Sequence, residues 1–303
     1  MLFAYRAFLY EGIRKNKQGI FNKYNELFLK EGNQYNVLFL GSSRAEMHFN
    51  PKIFDSITGL NSYNMGISGA SPKISLSLLK TYCKQHQKPT FIVFNVDYFS
   101  LQNDTDRLND FPRYFPYLSN THLRNELNQL DNRFNSFYYN PLHSLPYTQI
   151  GYLSASLHGW LSITGKYDTL MYKGFQTSEI KKIFIEKEFT PIHSFISAKN
   201  RQYIDSLILY TKTNQMKLLL VTSPIYGKGS YQVNNKTILS NQLKNISLIN
   251  HIPYFDYTDS VVFNEKILFA DYLHLNRKGA YKFTSNFSFA FHNNLAHNTL
   301  FNK

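Results

Sequence analysis

Cysteine is almost missing from this 303-residue chain, in which Cys83 stands alone. No intramolecular disulfide can form, and zinc sites built on clustered cysteines are excluded. Histidines do not take their place: His48, His86, His122, His143, His158, His193 and His251 fall at no ligand spacing, so neither a metal nor a cofactor is expected. Long apolar runs are lacking too. No stretch approaches the ~18 to 20 apolar residues of a membrane-spanning helix, and the opening Met1-Leu2-Phe3-Ala4-Tyr5-Arg6 meets a charge too early to read as a signal peptide. Acidic residues are scarce, with 20 Asp and Glu against 33 Lys and Arg, a formal net charge of +13. The basic residues are spread along the chain and form no arm or motif of a nucleic-acid binder, so a solvated basic surface is expected and nucleic acid is not. Attraction to acidic glycans or to an anionic membrane face is the functional alternative, and salt would weaken it. Wholesale disorder is excluded by a hydrophobic share of 43% and an aromatic share of 17%.

The aromatic and aliphatic residues that are present fall into a readable order. Residues 1 to about 32 interleave Phe3, Phe8, Ile13, Phe21, Tyr24 and Leu27 with Arg14, Lys15, Lys17 and Lys23. This amino-terminal segment is expected to be helical, docked on the domain or lying on a membrane surface. Val37-Leu38-Phe39-Leu40 suits a strand buried on both faces. Asn50-Pro51 starts a short helix that Gly59 stops. A short strand over 61–65 follows, and then a helix from Ser71-Pro72 with Ile74, Leu78, Leu79, Tyr82 and Cys83 on its apolar stripe. Phe91-Ile92-Val93-Phe94 is a third strand, and this alternation marks a parallel sheet.

From about 99 to 213 the alternation stops. Helical patterns around 119–131, 145–163, 177–187 and 196–213 read as a mostly helical insertion after the third strand. Met216 to Thr222 resumes the sheet, a helix over 235–249 leads to a fifth strand near Pro253-Tyr254-Phe255-Asp256, and Asn276 caps a last helix with Ala280, Phe283, Phe287 and Ala290 on one face. The expected architecture for residues 33–303 is a three-layer α/β/α sandwich around a flavodoxin-like, five-stranded parallel sheet.

Two ends of the chain carry the chemistry. The first strand breaks on Gly41 and delivers Ser42 and Ser43 where open α/β sheets place their ligands. A hydroxyl needs a base, and the base an orienting group; Asp271-Tyr272-Leu273-His274 supplies both on one loop. Ser43 is the candidate nucleophile, His274 the base and Asp271 its partner, although a serine here also serves as a helix cap and an aspartate as a turn residue.

Three blocks in order carry a resemblance. Gly41-Ser42-Ser43, Asn64-Met65-Gly66-Ile67-Ser68-Gly69 and Asp271-x-x-His274 followed by Asn276 and Gly279 resemble the SGNH/GDSL hydrolase superfamily. The continuous Gly-Ser-Ser-Arg-Ala with Asn50-Pro51 is similar to divergent members from bacterial surface-polysaccharide gene clusters. The resemblance registers Ser43, not Ser42, as the nucleophile. It implies an oxyanion pocket from the N–H groups of Ser43 and Gly69, with Asn95 as third donor, although the block here reads Phe94-Asn95-Val96-Asp97 where the family has Gly-x-Asn-Asp. The implied activity is that of a serine esterase or O-acyltransferase on acyl groups, chiefly O-acetyl, of a bacterial polysaccharide. The alternative is an inactive member serving as a glycan-binding or assembly module. Relatives of this type carry an amino-terminal membrane anchor, which implies the cell envelope, whereas the start as given implies the cytoplasm.

Arg44, Asp97 and Tyr226 are candidates for substrate contact, Arg44 through a bidentate grip on a carboxylate. Against this, an arginine there is often a salt-bridge partner, and Asn95 and Asp97 could hold neighbouring loops. The aromatic cluster Phe111 to Tyr117 and the run Phe137-Tyr138-Tyr139 could stack on sugar rings or pack a helical core.

Overall fold

The computed structural model describes residues 2–102, 108, 111–163, 171–177, 193–227 and 233–296. These divide into two compact units: one of residues 1–33, 76–87 and 105–171, the other of residues 34–75, 88–104 and 172–303.

The second unit is built on a five-stranded parallel sheet. Its strands are β1 (Val37–Gly41), β2 (Ser62–Asn64), β3 (Phe91–Asn95), β6 (Lys217–Thr222) and β7 (Tyr254–Asp256), in the order β2-β1-β3-β6-β7. This is the expected flavodoxin-like order, with the chain reversing direction across the sheet between β1 and β3. Registers run Leu38 to Tyr63 and to Ile92, and Val93 to Leu219. Both faces are buried, as the unbroken apolar runs require. On one face Val37, Phe39, Val93, Leu219 and Val221 meet Phe49, Phe54, Phe283, Phe287 and Phe291 in one hydrophobic cluster. On the other, Leu38, Leu40, Ile92, Leu218 and Leu220 are just as buried. The result is a three-layer α/β/α sandwich.

Helices follow their sequence signals. α3 (Ser43–His48) leaves β1 at once; α4 (Pro51–Thr58) starts on the Asn50 cap and stops at Gly59 in the left-handed region. The Asn50 side chain accepts from the Lys52 N–H at 3.0 Å. α5 (Pro72–Gln85) precedes β3 and α6 (Tyr98–Gln102) follows it. The final helix, Arg277–Ala296, is held by Asn276, whose Oδ1 accepts from Gly279 N–H at 3.0 Å.

The stretch expected as one helical insertion is more varied. Helix Ala198–Thr213 lies in the sheet-bearing unit and packs on β6, so it is a crossover helix feeding that strand. A two-stranded hairpin of β4 (Met171–Tyr172) and β5 (Phe175–Gln176) stands between two of the expected helices, where no strand was expected. Its turn is anchored by Lys173, whose ammonium donates to Asp55 at 2.7 Å. The helix expected over 177–187 lies outside the described residues.

The first unit is helical and aromatic. Three contiguous pieces, Leu2–Tyr5, a π-helical Arg6–Glu11 and Gly12–Lys15, form α1, and α2 spans Gly19–Phe28. α7 (Thr121–Leu130), α8 (Arg133–Tyr139) and α9 (Ile150–Trp160) follow a 3₁₀ segment, Phe111–Tyr117. Tyr114, Phe115 and Tyr117 are buried, with the Tyr24 ring 5.1 Å from Tyr114 and 6.0 Å from Tyr117. Phe134 and Phe137 are buried too, and only Tyr139 of the expected aromatic runs stands well out, at 74% exposure. These rings are packing, which displaces the sugar-stacking expectation for all but that edge.

Candidate active site

Gly41 makes the turn that presents the serines. Its φ of +136° lies where side chains are rarely tolerated, and a Cβ there would come within 2.7 Å of the Asn95 carbonyl oxygen. The two serines beyond it have different fates. Ser42 is 4% exposed; its hydroxyl donates to Asp97 at 2.7 Å and accepts from Arg44 N–H at 3.2 Å, capping α3. Ser43 is half-buried, and its Oγ lies 2.8 Å from His274 Nε2.

On the far side of that imidazole, His274 Nδ1 lies 2.9 Å from both carboxylate oxygens of Asp271. A carboxylate only accepts, so Nδ1 carries the hydrogen and Nε2 is free to accept from Ser43. Asp271 Oδ1 also accepts from the backbone N–H groups of Leu273 (2.8 Å) and His274 (2.9 Å), which closes the loop into a turn. Partial burial pushes the Asp271 carboxyl upward, but bonds from His274 and these backbone groups outweigh it and leave the carboxyl below its usual range. Residues 231 positions apart are thus joined in one line of hydrogen bonds.

Of the expected oxyanion donors, Ser43 occupies the first position of α3, where its N–H has no partner within the helix. Gly69 is exposed in a turn at φ +73°. Asn95 does not fit the role. Its Oδ1 accepts from Ser223 N–H at 3.1 Å, stitching β3 to β6, while Nδ2 is shut away from solvent and cannot reach a substrate oxygen.

Two expected substrate contacts are also corrected. Arg44 is 1% exposed, and its guanidinium donates to the Ser223 and Pro224 carbonyls and lies 3.7 Å from Asp97. Burial lowers its proton affinity and Asp97 opposes that. Asp97, 5% exposed, accepts from Ser42 Oγ and from Phe99 N–H at 3.0 Å. Both side chains are buried beside each other, and none of this charge is open to a ligand. Tyr226 is half-buried, its ring against Phe269 (5.6 Å) and Tyr272 (6.2 Å) and its N–H donating to the Tyr272 carbonyl at 3.1 Å. It therefore braces the loop that carries His274.

Comparison with known proteins adds little at the level of sequence: no family model matches and no curated protein is similar. Solved structures are similar, two from Bacteroides among them. One, from Bacteroides fragilis NCTC 9343 and assigned as an acylhydrolase, is 15% identical with a TM-score of 0.45, covering 90% of this chain and 94% of its own. The other is a GDSL-like lipase from Bacteroides thetaiotaomicron VPI-5482, 13% identical with a TM-score of 0.45, covering 90% and 97%. At this distance neither bears on chemistry, which rests on the residues of the site.

Sequence reading passed over three residues that hold these groups in place. His48, fully buried on α3, accepts from Leu275 N–H on Nε2 at 3.0 Å, so its Nδ1–H donates to Ser223 Oγ at 2.8 Å. Its ring stands 6.4 Å from that of His274. Burial, aided by Arg44 and His274, holds its pKa well below the usual histidine value, so this imidazole is neutral. Asn64, also buried, donates to the carbonyls of Ala45 (2.8 Å) and Phe49 (2.7 Å) and ties down the end of α3. Ser223 receives both His48 and Arg44. A signal for His48 existed in its place five residues after Ser43 on one short helix, and one for Asn64 in the motif block that it opens; Ser223 carries none without the fold. Among the described residues no cluster of His, Cys, Asp and Glu could hold a metal ion.

Proposed function

We propose that this protein is a serine acyl-transfer enzyme of the SGNH/GDSL type, an esterase or O-acyltransferase. The observation that carries the reading is the unbroken line from Ser43 Oγ through His274 to Asp271, at 2.8 and 2.9 Å. In the proposed reaction His274 Nε2 takes the Ser43 proton as Oγ attacks the ester carbonyl. Asp271 stabilises the imidazolium, which then protonates the departing alkoxide and leaves an acyl group on Ser43. Water or a sugar hydroxyl, deprotonated by His274, discharges it. The N–H groups of Ser43 and Gly69 are the proposed oxyanion donors. With Asn95 Nδ2 shut away from solvent, no side-chain donor is assigned to the pocket among the described residues, and a missing donor typically costs about 100- to 1000-fold in rate.

The motif resemblance supports acyl groups on a bacterial polysaccharide, chiefly O-acetyl, as the substrate class. Tyr226, beside the loop of His274, is the proposed substrate-side aromatic. The incomplete oxyanion pocket favours a second reading, a weakly active or inactive member that binds or assembles glycans. Hydrolysis of an aryl acetate separates the two: Ser43→Ala should lower kcat/KM by about 10⁴-fold or more. Ser42→Ala should keep most of the activity and lose about 1 kcal/mol of stability with its helix cap. Equal background rates for the parent and Ser43→Ala would favour the binding reading.

A further inference from the structure

The helical unit carries a surface that this chemistry does not use. From Arg133 to Lys166 the chain holds no other Asp, Glu, Lys or Arg, and α9 lies within that interval. Its inward face is small: Ser156 and Gly159 meet Gly12 of α1, and a Cβ on Gly159 would overlap the Gly12 carbonyl. The helices therefore cross in backbone contact, fastened where Ser156 Oγ (2.6 Å) and Trp160 Nε1 (2.8 Å) both donate to the Phe8 carbonyl. The outward face is apolar. Ile150, Leu153, Leu157, Trp160 and Leu161 recur at helical spacing and are 85%, 44%, 47%, 41% and 60% exposed, and Phe8 is 48% exposed. The rim is cationic: Lys15 and Lys17 are exposed, and the Lys15 ammonium sits 3.5 Å from the centre of the Trp160 ring.

We propose that α9, with α1 beside it, docks the protein on the surface of an anionic phospholipid bilayer. The aliphatic residues would enter the acyl boundary, with Trp160, Lys15 and Lys17 at the headgroups. An apolar stripe without carboxylates beside exposed ammonium groups is the charge complement of an anionic lipid surface, and a tryptophan at its edge suits the headgroup level. At eleven residues α9 lies on a bilayer and does not cross it.

Trp160 is the one tryptophan of the chain, so its emission reports on this surface alone. The full chain should co-float with vesicles of phosphatidylcholine and phosphatidylglycerol, with Trp160 emission shifted to the blue and quenched by brominated acyl chains. Pure phosphatidylcholine and added salt should both weaken the effect. Leu153→Asp combined with Leu157→Asp should reduce partitioning at least about tenfold, with the circular dichroism unchanged. Three results would overturn the proposal: no co-flotation and no quenching, undiminished binding by the folded double variant, or a blue shift that appears without lipid as protein concentration rises, which would make a second copy the occupant. The quenching measurement needs no variant, so a double variant that fails to fold leaves the test intact.

Discussion

Ser42 and Ser43 are neighbours of identical chemistry, and their partners separate them: one hydroxyl is spent on Asp97, the other faces His274. The line of hydrogen bonds from Ser43 through His274 to Asp271 was legible in the sequence because each half is local, a strand that breaks on Gly41 and a loop with Asp271 three residues before His274. The support beneath it was not, because it is assembled from distant positions. His48 meets Ser223 across 175 residues and Leu275 across 227, and no local pattern announces such pairs. Arg44 stayed open between a salt-bridge partner and a substrate contact for the same reason, since only its burial against Asp97 decides between them. Removing it strands a buried carboxylate, so Arg44→Met should cost about 3–5 kcal/mol in a denaturant titration; a loss below 1 kcal/mol would show that Asp97 needs no such partner.

His48 gives a pH prediction at the same scale. Its folded pKa lies below the unfolded value, so the unfolded chain binds a proton that the folded chain excludes. Stability is unaffected above about pH 6.5 and falls by about 1.4 kcal/mol per pH unit below it, down to the depressed folded value. His48→Gln keeps an acceptor for Leu275 N–H and removes this titration. Between pH 6.5 and 5.5 the variant should lose roughly 1 kcal/mol less than the parent. Equal losses would mean that His48 is not held neutral.

Among the elements, the strands and most helix boundaries could be read in advance, since apolar quartets, the Asn50-Pro51 start and the Asn276 cap act locally. The segment between β3 and β6 was harder. Helix Ala198–Thr213 has the periodicity of an insertion helix, and only its contact with β6 identifies it as a crossover; the two-residue strands of the hairpin are too short for any alternation to show. α3 is the element on which the site turns. It has six residues, is capped by Ser42 in front, and is held by Asn64 behind through the Ala45 and Phe49 carbonyls. Asn64→Ala should strip the Phe49 carbonyl of this donor and leave the Ala45 carbonyl with the Phe49 N–H alone, costing about 1–3 kcal/mol. Unfolding in urea would show it, and an unchanged midpoint would mean that α3 does not depend on this anchor.

In the molecule as a whole, the parallel sheet brings position 43 at the end of β1 to position 274 in the loop before the last helix. The chain must cross the sheet to close that distance, and the order β2-β1-β3-β6-β7 is what makes the meeting possible. The formal charge of +13 forms no sequence block, and its use depends on which apolar surface lies beside it. The central claim is that the Ser43 hydroxyl is activated by His274. The most direct measurement is reaction with a fluorophosphonate followed by peptide mass mapping, since an activated serine attacks that phosphorus and an ordinary one does not. A single adduct on Ser43, absent from the folded His274→Ala variant, is the predicted result. No adduct at Ser43 in the folded parent, or equal labelling without the imidazole, would contradict it.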